Sequence, residues 1–101
     1  MSIGYMDIME IERQLKRGRK AFTVKNITVS DSEEYSNNCL ITLKNEGFDT
    51  NMLILPKLFK SKDRTATHMI YFIRKGQENS INLKALEIWS KKMGNVDLYL
   101  G

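Results

Sequence analysis

The apolar residues of this chain keep helical spacing up to Leu15 and strand spacing from Ala21, and that change of period sets what the chain can fold into. Before the change, Tyr5, Ile8, Met9, Glu12 and Leu15 fall near one another at helical intervals, with Ile11 beside them and neither glycine nor proline between 5 and 17. Asp7, Glu10 and Glu12 come early and Arg13, Lys16 and Arg17 late, the order that suits the helix dipole, and Gly18 is a natural stop. An amphipathic helix over 5–17 is expected.

Beyond it, Phe22 and Val24 share one strand face while Ile27 and Val29 take the other phase, which a bulge or bend at Lys25 and Asn26 explains. The stretch 30–38 is polar and rich in turn-formers, so an exposed loop is expected there. A second strand is expected at 39–44 and, after the turn residues Asn45, Glu46 and Gly47, a third at 51–55 that Pro56 halts for lack of a ladder donor. The basic, hydroxylic stretch 57–67 reads as a connector anchored by Leu58 and Phe59, and 69–73 as a fourth strand. Between 81 and 93 the pattern fits a strand through Ile81, Leu83 and Ala85, or, slightly better, a helix through Ala85, Leu86, Trp89 and Met93 capped at Gly94. Val96, Leu98 and Leu100 alternate as a final edge strand would. The expected fold is one α+β, β-rich domain over 1–101. It has a helix within 1–19 and a β-rich body at 20–101, an antiparallel barrel or curved sheet ending in a helix or strand.

The chemistry available is narrow. Cys39 and His68 are the only residues of their kinds, so one chain can form neither an internal disulfide nor a cysteine/histidine zinc site. His68 stands beside Thr65 and Thr67 with no acid near it in sequence, and Cys39 opens an apolar run as a small core residue would. Asp31, Glu33 and Glu34 read as a solvated face whose number would permit at most weak divalent-cation binding. The scattered glycines build no phosphate loop. No catalytic residue, metal ligand or cofactor is expected. No apolar run approaches the roughly 20 residues of a membrane span, and acids interrupt the N-terminus. An intracellular protein without a membrane partner is expected, cytoplasm and nucleus undistinguished.

The positive charge is grouped. Sixteen Lys and Arg against twelve Asp and Glu leave a formal +4. The cations fall into three clusters: Arg13, Lys16, Arg17, Arg19 and Lys20; Lys57, Lys60, Lys62 and Arg64; and Arg74 with Lys75. Phe22 follows the first cluster, Phe59 lies within the second, and Tyr71 and Phe72 precede the third. A single-stranded nucleic-acid groove uses this interleaving, with cations on phosphates and rings on bases. The candidate binding residues are Arg17, Arg19, Lys20, Lys57, Phe59, Lys60, Lys62, Arg64, Tyr71, Arg74 and Lys75.

The segments KAFTVKNITV, NCLITLKNEG, MLILPKLF and MIYFIRKGQ, between Lys20 and Gln77, resemble a group of small OB-fold-like single-strand-binding proteins of invertebrate viruses and mobile elements. Leu55, Pro56 and Lys57 followed by Phe59, and Lys75, Gly76 and Gln77, carry the likeness. It implies an OB-like barrel whose curved face, with the loops around Lys57 to Arg64, binds single-stranded DNA or RNA in replication or packaging of such a genome. The alternative is a protein-interaction or oligomerisation module that uses the apolar side of the N-terminal helix or a free sheet edge.

Overall fold

The Asp7 carboxylate accepts the Met9 N–H at 2.7 Å and starts α1 (Ile8–Lys16), in which Glu10 lies in the first turn and Arg13 and Lys16 in the last. Gly18, at a φ of 85°, lets the chain leave the helix and enter β1 (Ala21–Val24). The computed structural model describes residues 3–101. The further elements are α2 (Ser32–Asn45), β2 (Lys57–Lys60), β3 (Thr67–Phe72), α3 (Ser80–Met93) and β4 (Val96–Tyr99), with single 3-10 turns at Val29–Asp31 and Thr50–Met52.

The four strands form an antiparallel sheet in the order β2-β3-β1-β4, so the first strand of the chain lies inside the sheet and the last at its edge. Strand alternation sorts the side chains onto two faces. Phe22, Val24, Leu58, Met69 and Tyr71 join the main core with Cys39 and Leu43 of α2 and Ala85, Leu86 and Trp89 of α3. The Phe22 ring stacks on Tyr71 at 4.9 Å and meets the edge of Trp89 at 5.3 Å, contacts worth about 0.5–1.5 kcal/mol each beyond the area buried. On the opposite face Ala21, Phe59, Ile70 and Phe72 pack against Ile11 of α1. The N-terminal helix is thus docked on the sheet, as its amphipathic spacing requires.

The α+β class and the helix-covered sheet agree with expectation, while several elements do not. The sheet is open rather than closed into an OB-like barrel, because β4 pairs only with β1 and the outer edge of β2 is met by the extended segment before α1. The body is not β-rich: the loop expected at 30–38 and the strand expected at 39–44 are mostly one helix, α2. That helix buries Ser32, Ser36, Cys39 and Leu43, a helical stripe in which two serines hide the period from any hydropathy reading. Ile41, which a strand would turn inward with Cys39 and Leu43, is 59% exposed. In place of the strand expected at 51–55, a 3-10 turn is capped by Asp49, and a single bridge at Leu53 and Ile73, with Ile54 N donating to Phe72 O at 2.8 Å, ties the segment to the sheet.

Further corrections follow from the turns. β1 stops at Val24 because Asn26 takes a φ of 60°, so the first strand does not continue to Val29. The connector expected at 57–67 is β2 followed by the tight turn of a β2–β3 hairpin. The segment at 81–93 is helix, with the Asn79 side chain accepting the Asn82 N–H at 2.8 Å and Gly94 in the left-handed region at its end.

Candidate nucleic-acid interface

All the candidate cations but Lys57 separate to the two ends of the sheet. At the end where β2 and β3 join, Lys60 donates to Thr67 Oγ1 at 2.9 Å and Lys62 pairs with Glu12 of α1 at 3.3 Å. Asp63 holds the turn: one carboxylate oxygen accepts from Ser61 Oγ at 2.6 Å, Thr65 Oγ1 at 2.8 Å and Thr65 N at 3.1 Å. These bonds, the Ser61 hydroxyl foremost, hold the Asp63 carboxyl down to about 2. Arg64 sits at the tip with a φ of 59°, close to Tyr5, Met6 and Asp7. The hairpin cations are therefore interleaved with the acids Asp7, Glu12 and Asp63.

At the other end, two connections meet. Arg17 caps the C-terminus of α1, and Lys20 O accepts the Ile73 N–H at 2.9 Å, bringing the α1–β1 connection beside the segment that leaves β3. The Arg19 guanidinium donates to Ile73 O at 3.5 Å and lies over the Phe72 ring at 6.0 Å. Arg74 follows directly, its Nε donating to Asn51 O at 3.3 Å, and Lys75 is exposed in the turn that Gly76 makes. None of Arg17, Arg19, Lys20, Arg74 and Lys75 forms an ion pair with a described residue. Lys57 belongs to neither end: it lies on β2 beside Gly4 and opposite Ile70.

The two candidate rings are not surfaces for stacking. Tyr71 is 1% exposed, with its hydroxyl on Ser36 Oγ, and burial pushes that phenol upward from its usual range. Phe59 is 7% exposed and meets the edge of His68 at 5.3 Å. Both point into cores because the hairpin register turns Leu58 and Tyr71 to one face and Phe59 and Phe72 to the other, and both faces are covered. The exposed rings are instead Tyr5, beside the hairpin turn, and Tyr99, on the edge strand opposite Ala21. Tyr99 closes one side of a groove of about 550 Å3 between α1 and the sheet, with Ile8, Leu15 and Lys16 on the helix side and Thr23 beneath. Sequence reasoning passed over Tyr99, although an alternating edge strand places an aromatic at its polar phase in the open.

The remaining reactive groups are engaged elsewhere. His68 Nδ1 accepts the Asn26 N–H at 3.2 Å and so supports the left-handed turn there. Cys39 is buried in α2, and desolvation pushes its thiol up to about 11 against a lowering hydrogen bond from Tyr35. Among the described residues, no three of His, Cys, Asp and Glu come close enough to hold a metal ion, and no helix is long and apolar enough to cross a membrane. Compared with known proteins, the chain matches no family model, no curated protein and no solved structure.

Proposed function

We propose that the protein binds single-stranded DNA or RNA without catalysis, holding phosphates on the cations around the Phe72 end of the sheet. The observation that carries this reading is that Arg17, Arg19, Lys20, Arg74 and Lys75 arrive from two distant segments at one end and meet no carboxylate of a described residue. A cation unpaired within its own chain is available to a phosphate, and the counterions released on contact supply most of the non-specific affinity. Two short connections, rather than a protruding helix, build this end. It therefore favours a backbone that bends to meet it, as a single strand does. The Tyr99 ring, in the groove that Lys16 also lines, supplies the nearby surface on which a base can stack.

Titration with single-stranded and duplex oligonucleotides of DNA and RNA at several salt concentrations tests the reading. Single strands are expected to bind with a log–log salt slope of about −0.7 per phosphate held, so about −3.5 if all five cations engage. Affinity indifferent to salt, or a preference for duplex, contradicts it.

A further inference from the structure

The sheet has one covered edge and one open edge. On the β2 side, Met6 N donates to Leu58 O and Leu58 N donates to Gly4 O, both at 2.8 Å, so the segment before α1 occupies that edge. On the β4 side, no described residue bonds to the outward peptide groups of the strand. Their phase is fixed by the ladder: Lys25 N donates to Asn95 O at 2.8 Å, and the register continues through Val24↔Val96 and Thr23↔Asp97. Residues 95, 97 and 99 therefore turn their peptide groups toward β1, and Val96, Leu98 and Leu100 turn theirs outward.

We propose that β4 pairs antiparallel with β4 of a second copy of this chain, about a two-fold axis between the two Leu98 residues. Bonding the outward groups of one strand to those of its own copy allows few registers, and charge selects among them. Centred on Asp97, the pairing sets two like carboxylates directly opposite each other, which is unfavourable. Centred on Tyr99, it sets Asp97 opposite Gly101, which leaves the extended path at a φ of 103°. Centred on Leu98, the strand faces its own reverse without conflict: Leu98 meets Leu98, Val96 meets Leu100 and Asp97 meets Tyr99. Val96, Leu98 and Leu100 then all exchange bonds with their opposite residues. Their half-buried side chains continue the apolar face that α2 and α3 cover, while Tyr99, 38% exposed, stays on the α1 face with Asp97. Because the β2 edge is occupied, the assembly closes at two copies instead of growing into a fibre. The strand thus pairs with its own reverse without like charges opposed, which makes a second copy the proposed occupant.

Sedimentation equilibrium of the full chain without nucleic acid, together with residue-level amide hydrogen exchange, tests the proposal. The wild-type chain is expected to dimerise with concentration, and the Leu98 and Leu100 amides to exchange more slowly in the dimer. Tyr99→Asp sets a carboxylate opposite Asp97 twice per dimer and is expected to weaken association about tenfold, while Tyr99→Lys at the same place preserves or strengthens it. A wild-type chain that stays monomeric at millimolar concentration overturns the proposal. So does a dimer that responds alike to the two substitutions, or one whose Leu98 and Leu100 amides exchange as in the monomer.

Discussion

At the hairpin end of the sheet, Lys62 is paired with Glu12, Lys60 donates to Thr67, and Arg64 rides on a turn tied together by Asp63; at the opposite end, Arg19 and Arg74 donate to main-chain carbonyls, and none of Arg17, Arg19, Lys20, Arg74 and Lys75 meets a carboxylate of a described residue. The two ends are similarly basic in sequence. They differ in what the fold brings beside the charge. α1 runs across the sheet between them, placing its early acids near the hairpin and its late cations at the other end, so one amphipathic helix neutralises one end and reinforces the other.

Four changes break or sharpen this contrast. The largest effect is expected from Ile11→Ala, since Ile11 is the buried residue by which α1 docks and its truncation should cost about 2–5 kcal/mol in urea unfolding. Unchanged stability would show that α1 does not hold the two ends apart. Next, Arg19→Ala combined with Lys20→Ala should flatten the salt slope of single-strand binding by about 1.4, with little change in unfolding. An unaltered slope would remove the α1–β1 connection from the interface.

The third change is in pH. Asp63 titrates near 2 in the folded chain, below the ordinary aspartate value of about 3.9, so the bonds it accepts hold the hairpin turn fully above roughly pH 4 and are lost as pH falls through about 2. Carbon-13 titration of that carboxyl should give a midpoint near 2, with the Thr65 amide shifting in step; a midpoint near 4 would show the turn to be untied. The smallest effect belongs to Lys62→Ala. Its pair with Glu12 is solvent-exposed, and its loss should change stability by less than about 1 kcal/mol in thermal unfolding. A larger loss would mean that the hairpin contributes more to the docking of α1 than one exposed pair can.

α1 was legible because Ile8, Ile11 and Leu15 keep helical spacing, and the segment is a helix. α3 was read as a helix only slightly ahead of a strand, and its buried stripe mixes Asn82 and Ser90 with Ala85, Leu86 and Trp89. α2 was hidden because half of its buried stripe is serine, one of them answering the phenol of Tyr71 across the core. A hydropathy pattern cannot register a side chain that is buried because a distant partner satisfies it. Glu33 and Glu34 in its first turn and Lys44 in its last were the readable signal, the same dipole order that marked α1. Of the proposed interface, the clustered cations are legible in the sequence, while the burial of the two candidate rings is not. Phe59 and Tyr71 lie beside basic residues in sequence, yet strand alternation turns each ring into a face that a helix covers, and only knowledge of both layers tells which rings remain outside.

The proposal puts the ligand on the cations at the Phe72 end of the sheet and not on those of the hairpin, where Glu12 pairs with Lys62. Its most direct test is the salt dependence of single-strand binding in two double variants, Arg74→Ala with Lys75→Ala and Lys60→Ala with Lys62→Ala. The first pair should flatten the slope by about 1.4 and the second by less than half as much. Equal flattening, or a larger change from the hairpin pair, would contradict the account.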